Sequence, residues 1–63
     1  MTQKELLYVK DAVEHEKSIV QILENTKKNL EDESLVSFCD SEIEKHNTLC
    51  DSLINLLEEK ANG

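Results

Sequence analysis

Apolar residues recur along this chain at helical spacing in two series, and the two series point in different directions. The first comprises Leu6, Val9, Ala12, Val13, Ile19, Val20, Ile22, Leu23 and Leu30. Set at 100° per residue they form one broad stripe, opposite a polar face of Lys10, Glu14, Lys17, Gln21 and Asn25. The second comprises Leu35, Phe38, Cys39, Leu49, Cys50, Leu53, Leu56 and Leu57, with Val36, Ile43 and Ile54 at one edge. Its outer face is Asp40, Glu44, Asn47, Asp51, Asn55 and Glu58. On one unbroken helix the second stripe would be rotated by about 150° from the first. A straight rod would then carry apolar patches on nearly opposite sides. A chain reversal near Asn29–Ser34 removes the conflict. The pattern therefore predicts a single all-α domain over residues 1–63, an antiparallel two-helix hairpin. The expected bounds are about 3–29 for the first helix, about 30–33 for the turn and about 34–60 for the second.

Local chemistry agrees with this division. Thr2 followed by Glu5 is a capping-box pattern for a helix start. Asp32 is suited to cap the second helix, and Glu33 to sit at its positive end. Lys27–Lys28 and Glu31–Asp32–Glu33 place charge of the favourable sign at the helix ends. Lys10 and Glu14 are spaced for an i, i+4 ion pair, and Asn62–Gly63 for a C-terminal stop. Proline is absent and the only glycine is terminal, so nothing of the usual turn chemistry marks the reversal.

A chain of 63 residues buries little core by itself, and there are only two aromatic residues, Tyr8 and Phe38, to fill it. Tyr8 is expected at the core edge with its hydroxyl in water. Each stripe spans well over 100° of its helix, wider than a two-stranded seam requires. The remaining apolar strip calls for another chain, and two hairpins face to face close a four-helix bundle. A homodimer is thus the expected state. The net charge of −7 repels phosphate and argues against nucleic acid or anionic membranes as partners. No apolar run approaches the roughly 20 residues that span a bilayer, and no signal-peptide pattern opens the sequence, so an intracellular location is expected. Cys39 and Cys50 lie roughly 16 Å apart along one helix, too far to bridge, and read as small buried hydrophobes.

The informative positions are polar residues inside the apolar stripes. Glu16 lies among Ala12, Ile19, Val20 and Leu23; Glu42 and His46 lie one turn apart between Phe38, Leu49 and Leu53. Folding the hairpin about residues 31–32 sets position 16 opposite 46 or 47, so three ionisable groups converge at one level. His15, at the edge beside Ile19 and Ile22, is a peripheral candidate to join them. Buried carboxylates need a partner or a metal. In a two-fold dimer the set becomes four Glu and two His, the ligand inventory of a di-iron or di-manganese carboxylate bundle. The spacing differs from the usual Glu-x-x-His, which would need Glu where Ile43 stands. The alternative is a metal-free polar layer joined by charge-assisted hydrogen bonds, with Lys45 reaching Glu42. There is no phosphate loop, no nucleophile with an evident base and no catalytic triad pattern.

Three segments carry a family resemblance. Gln3-Lys4-Glu5-Leu6-Leu7-Tyr8 with Asp11-Ala12-Val13 and His15-Glu16-Lys17 resembles the first helix of small spore coat protein F-like, ferritin-like proteins of Clostridium and Bacillus relatives. Asp32-Glu33-Ser34-Leu35 resembles their short turn, and Lys45-His46 through Leu53-Ile54-Asn55-Leu56-Leu57 their second helix. The resemblance implies a ferritin-like hairpin, a cytoplasmic or spore-associated location and spore-coat proteins as partners. His15, Glu16 and His46 match recurring polar positions of that group. Leu49 stands where the group often has a second histidine, and Glu33 where its turn has proline.

Three functions compete on this reading. The first is a structural or assembly protein that self-associates. The second is a metalloprotein holding iron or manganese at Glu16, Glu42 and His46 of two chains, open to ferroxidase-type chemistry. The third is an adaptor that receives a partner's helix in its apolar groove.

Overall fold

The computed structural model describes residues 1–62; Gly63, and with it the expected Asn62–Gly63 stop, lies outside the described residues. It consists of two α-helices, α1 (Gln3–Lys28) and α2 (Glu33–Asn62), packed antiparallel. The Cα trace extends 46 Å by 15 Å by 11 Å. Helix α1 ends one residue earlier than expected. Helix α2 begins one residue earlier and runs through Asn62, because its first turn incorporates Glu33.

The helix starts follow from their caps. The Thr2 hydroxyl accepts from the Glu5 amide at 3.1 Å, and the Glu5 carboxylate accepts from the Thr2 amide at 2.8 Å, closing the capping box. These hydrogen bonds hold the Glu5 carboxyl below its ordinary range. Asp32 Oδ1 accepts from the Ser34 hydroxyl at 2.6 Å and from the Ser34 and Leu35 amides at 2.8 and 3.1 Å. The hydroxyl first, then the two amides, lower the Asp32 carboxyl below the usual aspartate value.

The reversal needs no glycine. Asn29 ends α1 at φ −102°, ψ 2°, a conformation open to any residue, and no described residue has a positive φ. Its amide donates to the Thr26 carbonyl at 3.0 Å and its side-chain Nδ2 to the Asn25 carbonyl at 2.9 Å, satisfying carbonyls the helix end would leave bare.

The seam between the helices is a strict alternation of three- and four-residue steps. On α1 it runs Leu6, Val9, Val13, Glu16, Val20, Leu23 and Lys27, continued by Leu30 just past the helix end; on α2 it runs Val36, Cys39, Ile43, His46, Cys50, Leu53 and Leu57. All of these are buried or half-buried, the spacing of a coiled-coil pair. Among the described residues only Val13, Glu16, Cys39 and Cys50 are buried, and each keeps a trace of exposure. Both cysteines are free thiols, in keeping with their separation along one helix.

The two flanks of this seam differ. On one side Glu24, Lys27 and Asp40 gather, with Lys27 Nζ 2.6 Å from Asp40 Oδ1. That contact raises the Lys27 ammonium above its ordinary value. Asp40, placed by the periodicity on a plain outer face, therefore has an interhelical partner. The expected Lys10–Glu14 pair is absent among the described residues; Glu14 instead lies 3.8 Å from Lys17, and both are exposed. The other flank is apolar, and it carries the candidate site.

Candidate functional site

Positions immediately before each seam pair, on both helices of an antiparallel hairpin, border the same side of the molecule. The gathering of Glu24 and Asp40 on one side fixes the opposite side as the one bearing Tyr8, Ala12, His15, Ile19 and Ile22 of α1 and Leu35, Phe38, Glu42, Leu49 and Leu56 of α2, together with the polar Glu5, Thr26, Lys45 and Ser52. Leu35, Phe38, Leu49, Tyr8 and Ile22 are exposed, Phe38 and Ile22 at 62% each. The sequence stripes included all of these but Tyr8, and the hairpin seam does not cover them. Tyr8, expected at a core edge, lies mostly in solvent at 61% exposure. The chain presents 4919 Å² of surface, about 800 Å² more than the ~4,100 Å² that a compact monomer of 7.2 kDa presents.

Midway along both helices the apolar series are interrupted together. Glu16, at a seam position, is the one buried charged residue among those described, at 7% exposure. Helix α2 sets His46 directly opposite, as the fold about the turn predicted. Its Nδ1 lies 2.9 and 3.1 Å from the two Glu16 carboxylate oxygens. Both oxygens are within hydrogen-bond reach of the one ring nitrogen, and a carboxylate only accepts, so the tautomer that fits this contact is the one with its proton on Nδ1. No buried side-chain polar atom among the described residues lacks a hydrogen-bond partner, so the Glu16–His46 contact is satisfied as it stands.

Glu42, one turn before His46, is half-buried on the apolar flank. Its Oε2 lies 3.9 Å from His46 Nε2, beyond hydrogen-bond length, and its Oε1 lies 3.5 Å from Lys45 Nζ. The structure thus brings Glu16, Glu42 and His46 to one level but in unequal roles. Glu16 engages Nδ1 directly; Nε2 and Glu42 face outward together. His15 is exposed and makes no hydrogen bond or ion pair among the described residues, so one hairpin does not draw it into the layer. No group of three or more His, Cys, Asp or Glu side chains in one chain forms a metal-holding cluster among the described residues. What one chain offers a cation is limited to donors on α2. A histidine that donates one ring proton to a carboxylate is oriented to coordinate through its other nitrogen. In that arrangement Glu16 is the orienting group, and His46 Nε2 with Glu42 are the donors one chain can offer.

A shallow exposed hollow on the outer side of α2 is lined by Ser41, Glu44, Lys45 and Thr48, away from the Glu16–His46 contact. No helix among the described residues is long and apolar enough to cross a membrane.

Comparison with protein families, curated proteins and solved structures found no match. The reading of function therefore rests on the hairpin itself.

Proposed function

We propose that this chain acts as a self-assembling structural element: a small acidic hairpin whose apolar flank closes on the same flank of a second copy, forming a four-helix bundle. The observation that carries this reading is the row of large apolar side chains that both helices leave exposed on one side, Tyr8, Ile22, Leu35, Phe38 and Leu49. Clustered apolar side chains on the surface of a small protein mark an interaction face. The resemblance to spore coat-associated ferritin-like hairpins supports an assembly role of the same kind, with coat proteins as further partners.

Sedimentation equilibrium of the intact chain tests it. The expected result is a helical dimer at micromolar concentration, converted to a monomer by Phe38→Glu with Leu49→Glu. Both positions are exposed in the single hairpin, so the substitutions leave its own seam intact. A folded monomer of the unaltered chain at those concentrations would refute the reading, and strong capture of a foreign helix by such a monomer would favour an adaptor.

A second reading has its own observation. His46 is oriented through Nδ1 by Glu16, with Nε2 beside Glu42, and a two-fold partner would double those donors. On this reading the bundle holds iron or manganese between two chains. Metal analysis of untagged protein and titration with Fe(II) or Mn(II) decide it. Binding should be lost in Glu42→Ala and weakened in Glu16→Ala; no uptake by the unaltered chain would dispose of it.

A further inference from the structure

Glu42 and His46 are an i, i+4 pair, one above the other on the same face of α2. Their facing atoms, Glu42 Oε2 and His46 Nε2, are 3.9 Å apart, too long for a hydrogen bond. The gap matches the separation of two ligands across one ion. Bonds of about 2.0–2.2 Å to nitrogen and oxygen span about 3.4 Å at a tetrahedral angle and about 4.2 Å in line. A shift of about half an ångström in the Glu42 carboxylate closes the difference. The remaining polar atoms of both residues are already engaged. Lys45 Nζ lies 3.5 Å from Glu42 Oε1, which leaves Oε2 to the imidazole side. Glu16, nine-tenths buried, meets His46 Nδ1 with both oxygens, and the tautomer that fits keeps the lone pair on Nε2. The Glu42 and His46 side chains are 26% and 28% exposed, so ions reach the space between them.

We infer that Glu42 and His46 of a single hairpin bind one late first-row divalent cation (zinc, nickel or copper), with Glu16 as the positioning residue and water in the other coordination positions. This differs from a metal shared between two chains. One hairpin suffices, and the site stands whether or not hairpins associate. Among the described residues no third His, Cys, Asp or Glu joins the pair. Two protein donors impose no geometry, so the bound ion exchanges readily and metals rank by intrinsic affinity. Manganese and ferrous iron then fall below nickel, copper and zinc. Charge favours the ion as well. Two carboxylates, Glu16 and Glu42, border a neutral imidazole, and Lys45 supplies a single exposed counter-charge. Both donors belong to α2, but the ring is aimed by Glu16 of α1. In the unfolded chain the donors are neither stacked on one helix nor oriented across the seam. Cation binding on one helix is therefore linked to its pairing with the other, and the ion stabilises the folded hairpin.

Titration of the untagged, reduced chain with zinc, followed by calorimetry and by thermal unfolding, tests this. The expected result is one ion per chain, a melting temperature that rises with zinc concentration, and no metal-dependent change of molar mass in sedimentation. Manganese should bind more weakly. Glu42→Gln removes a donor outside the seam and should abolish saturable uptake. Glu16→Leu should weaken binding roughly 10–100-fold, and Glu16→Gln, which keeps an acceptor for Nδ1, should recover part of that loss. Unfolding curves without metal show that each variant is folded. His15→Ala, which removes the exposed imidazole, should bind as the parent does. No uptake at millimolar zinc, undiminished binding in Glu42→Gln, or binding lost in His15→Ala overturns the site. Undiminished binding in Glu16→Leu overturns the positioning role, and manganese held as tightly as zinc overturns the cation class. One ion per two chains, bound only by a dimer, overturns the single-chain site in favour of the shared one. A monomer that binds one zinc ion leaves this site standing and refutes self-association alone.

Discussion

Replacing His46 by leucine leaves a carboxylate in the seam with nothing to hold. Glu16 retains 9% of its side-chain exposure and loses a contact in which both its oxygens accept from Nδ1. Breaking a buried ion pair from one side costs roughly 3–5 kcal/mol where the site is dry. Here the imidazole itself is 28% exposed, so water reaches part of the site and the cost falls to about 2–3 kcal/mol. For a chain of this length the unfolding entropy is about 130 cal/mol/K, so that loss lowers the melting temperature by roughly 15–23 °C. Glu16→Leu is milder, about 1 kcal/mol or less, because the orphaned imidazole can turn its polar edge to solvent while leucine gains burial. The double variant Glu16→Leu with His46→Leu carries no unpaired group and should lie within about 1 kcal/mol of the parent, or above it. The two substitutions are therefore non-additive by about 2 kcal/mol. Urea unfolding followed by circular dichroism gives the cycle, run at several protein concentrations because association would add to the apparent stability. Costs that sum, with a coupling below about 0.5 kcal/mol, would show that the pair is solvated and would remove the basis for a polar layer.

Other consequences are local. Thr2→Ala opens the capping box and should cost about 1 kcal/mol, with faster hydrogen exchange at the Glu5 amide than anywhere beyond the first turn. Acid should fray the hairpin from its caps. The Glu5 and Asp32 carboxyls are lowered in the folded state, so their contribution is complete above the ordinary carboxylate range and is lost as pH falls through the lowered values. Asp32→Asn should flatten the acid limb of helicity against pH; an unchanged limb would contradict the role given to that cap. At the alkaline end the sign reverses. Lys27 is raised by Asp40, so its contribution holds below the ordinary lysine value and disappears as pH climbs through the raised one. Asp40→Asn should abolish that dependence in an alkaline titration and lessen the effect of added salt. Cys39 and Cys50 should react with a thiol reagent only as fast as the hairpin opens, and at full rate in urea; immediate reaction of the native protein would mean the seam is not closed around them.

What could be read from the sequence was decided by direction, and what could not was decided by reach. The rotation between the two apolar stripes forces a reversal, and with it the pairing of position 16 with 46, before any contact is known. Thr2 and Asp32 announce their caps because a cap is a local device, settled within three residues. Lys27 is different. Its position in the seam is fixed by periodicity, but only the length of its side chain, escaping the seam toward Asp40, makes the interhelical pair. The Lys10–Glu14 spacing satisfies a rule that exposed side chains need not obey, and Lys17 takes Glu14 instead. The wheel also joins into one broad stripe what the hairpin divides into two surfaces. A single antiparallel contact covers the positions three and four apart, and Phe38, Ile22 and Leu49, about a quarter-turn away, are left outside it. That division gives the polar residues their meaning. Glu16 and His46 belong to the surface the chain closes by itself, and Glu42 and His15 to the surface it leaves open.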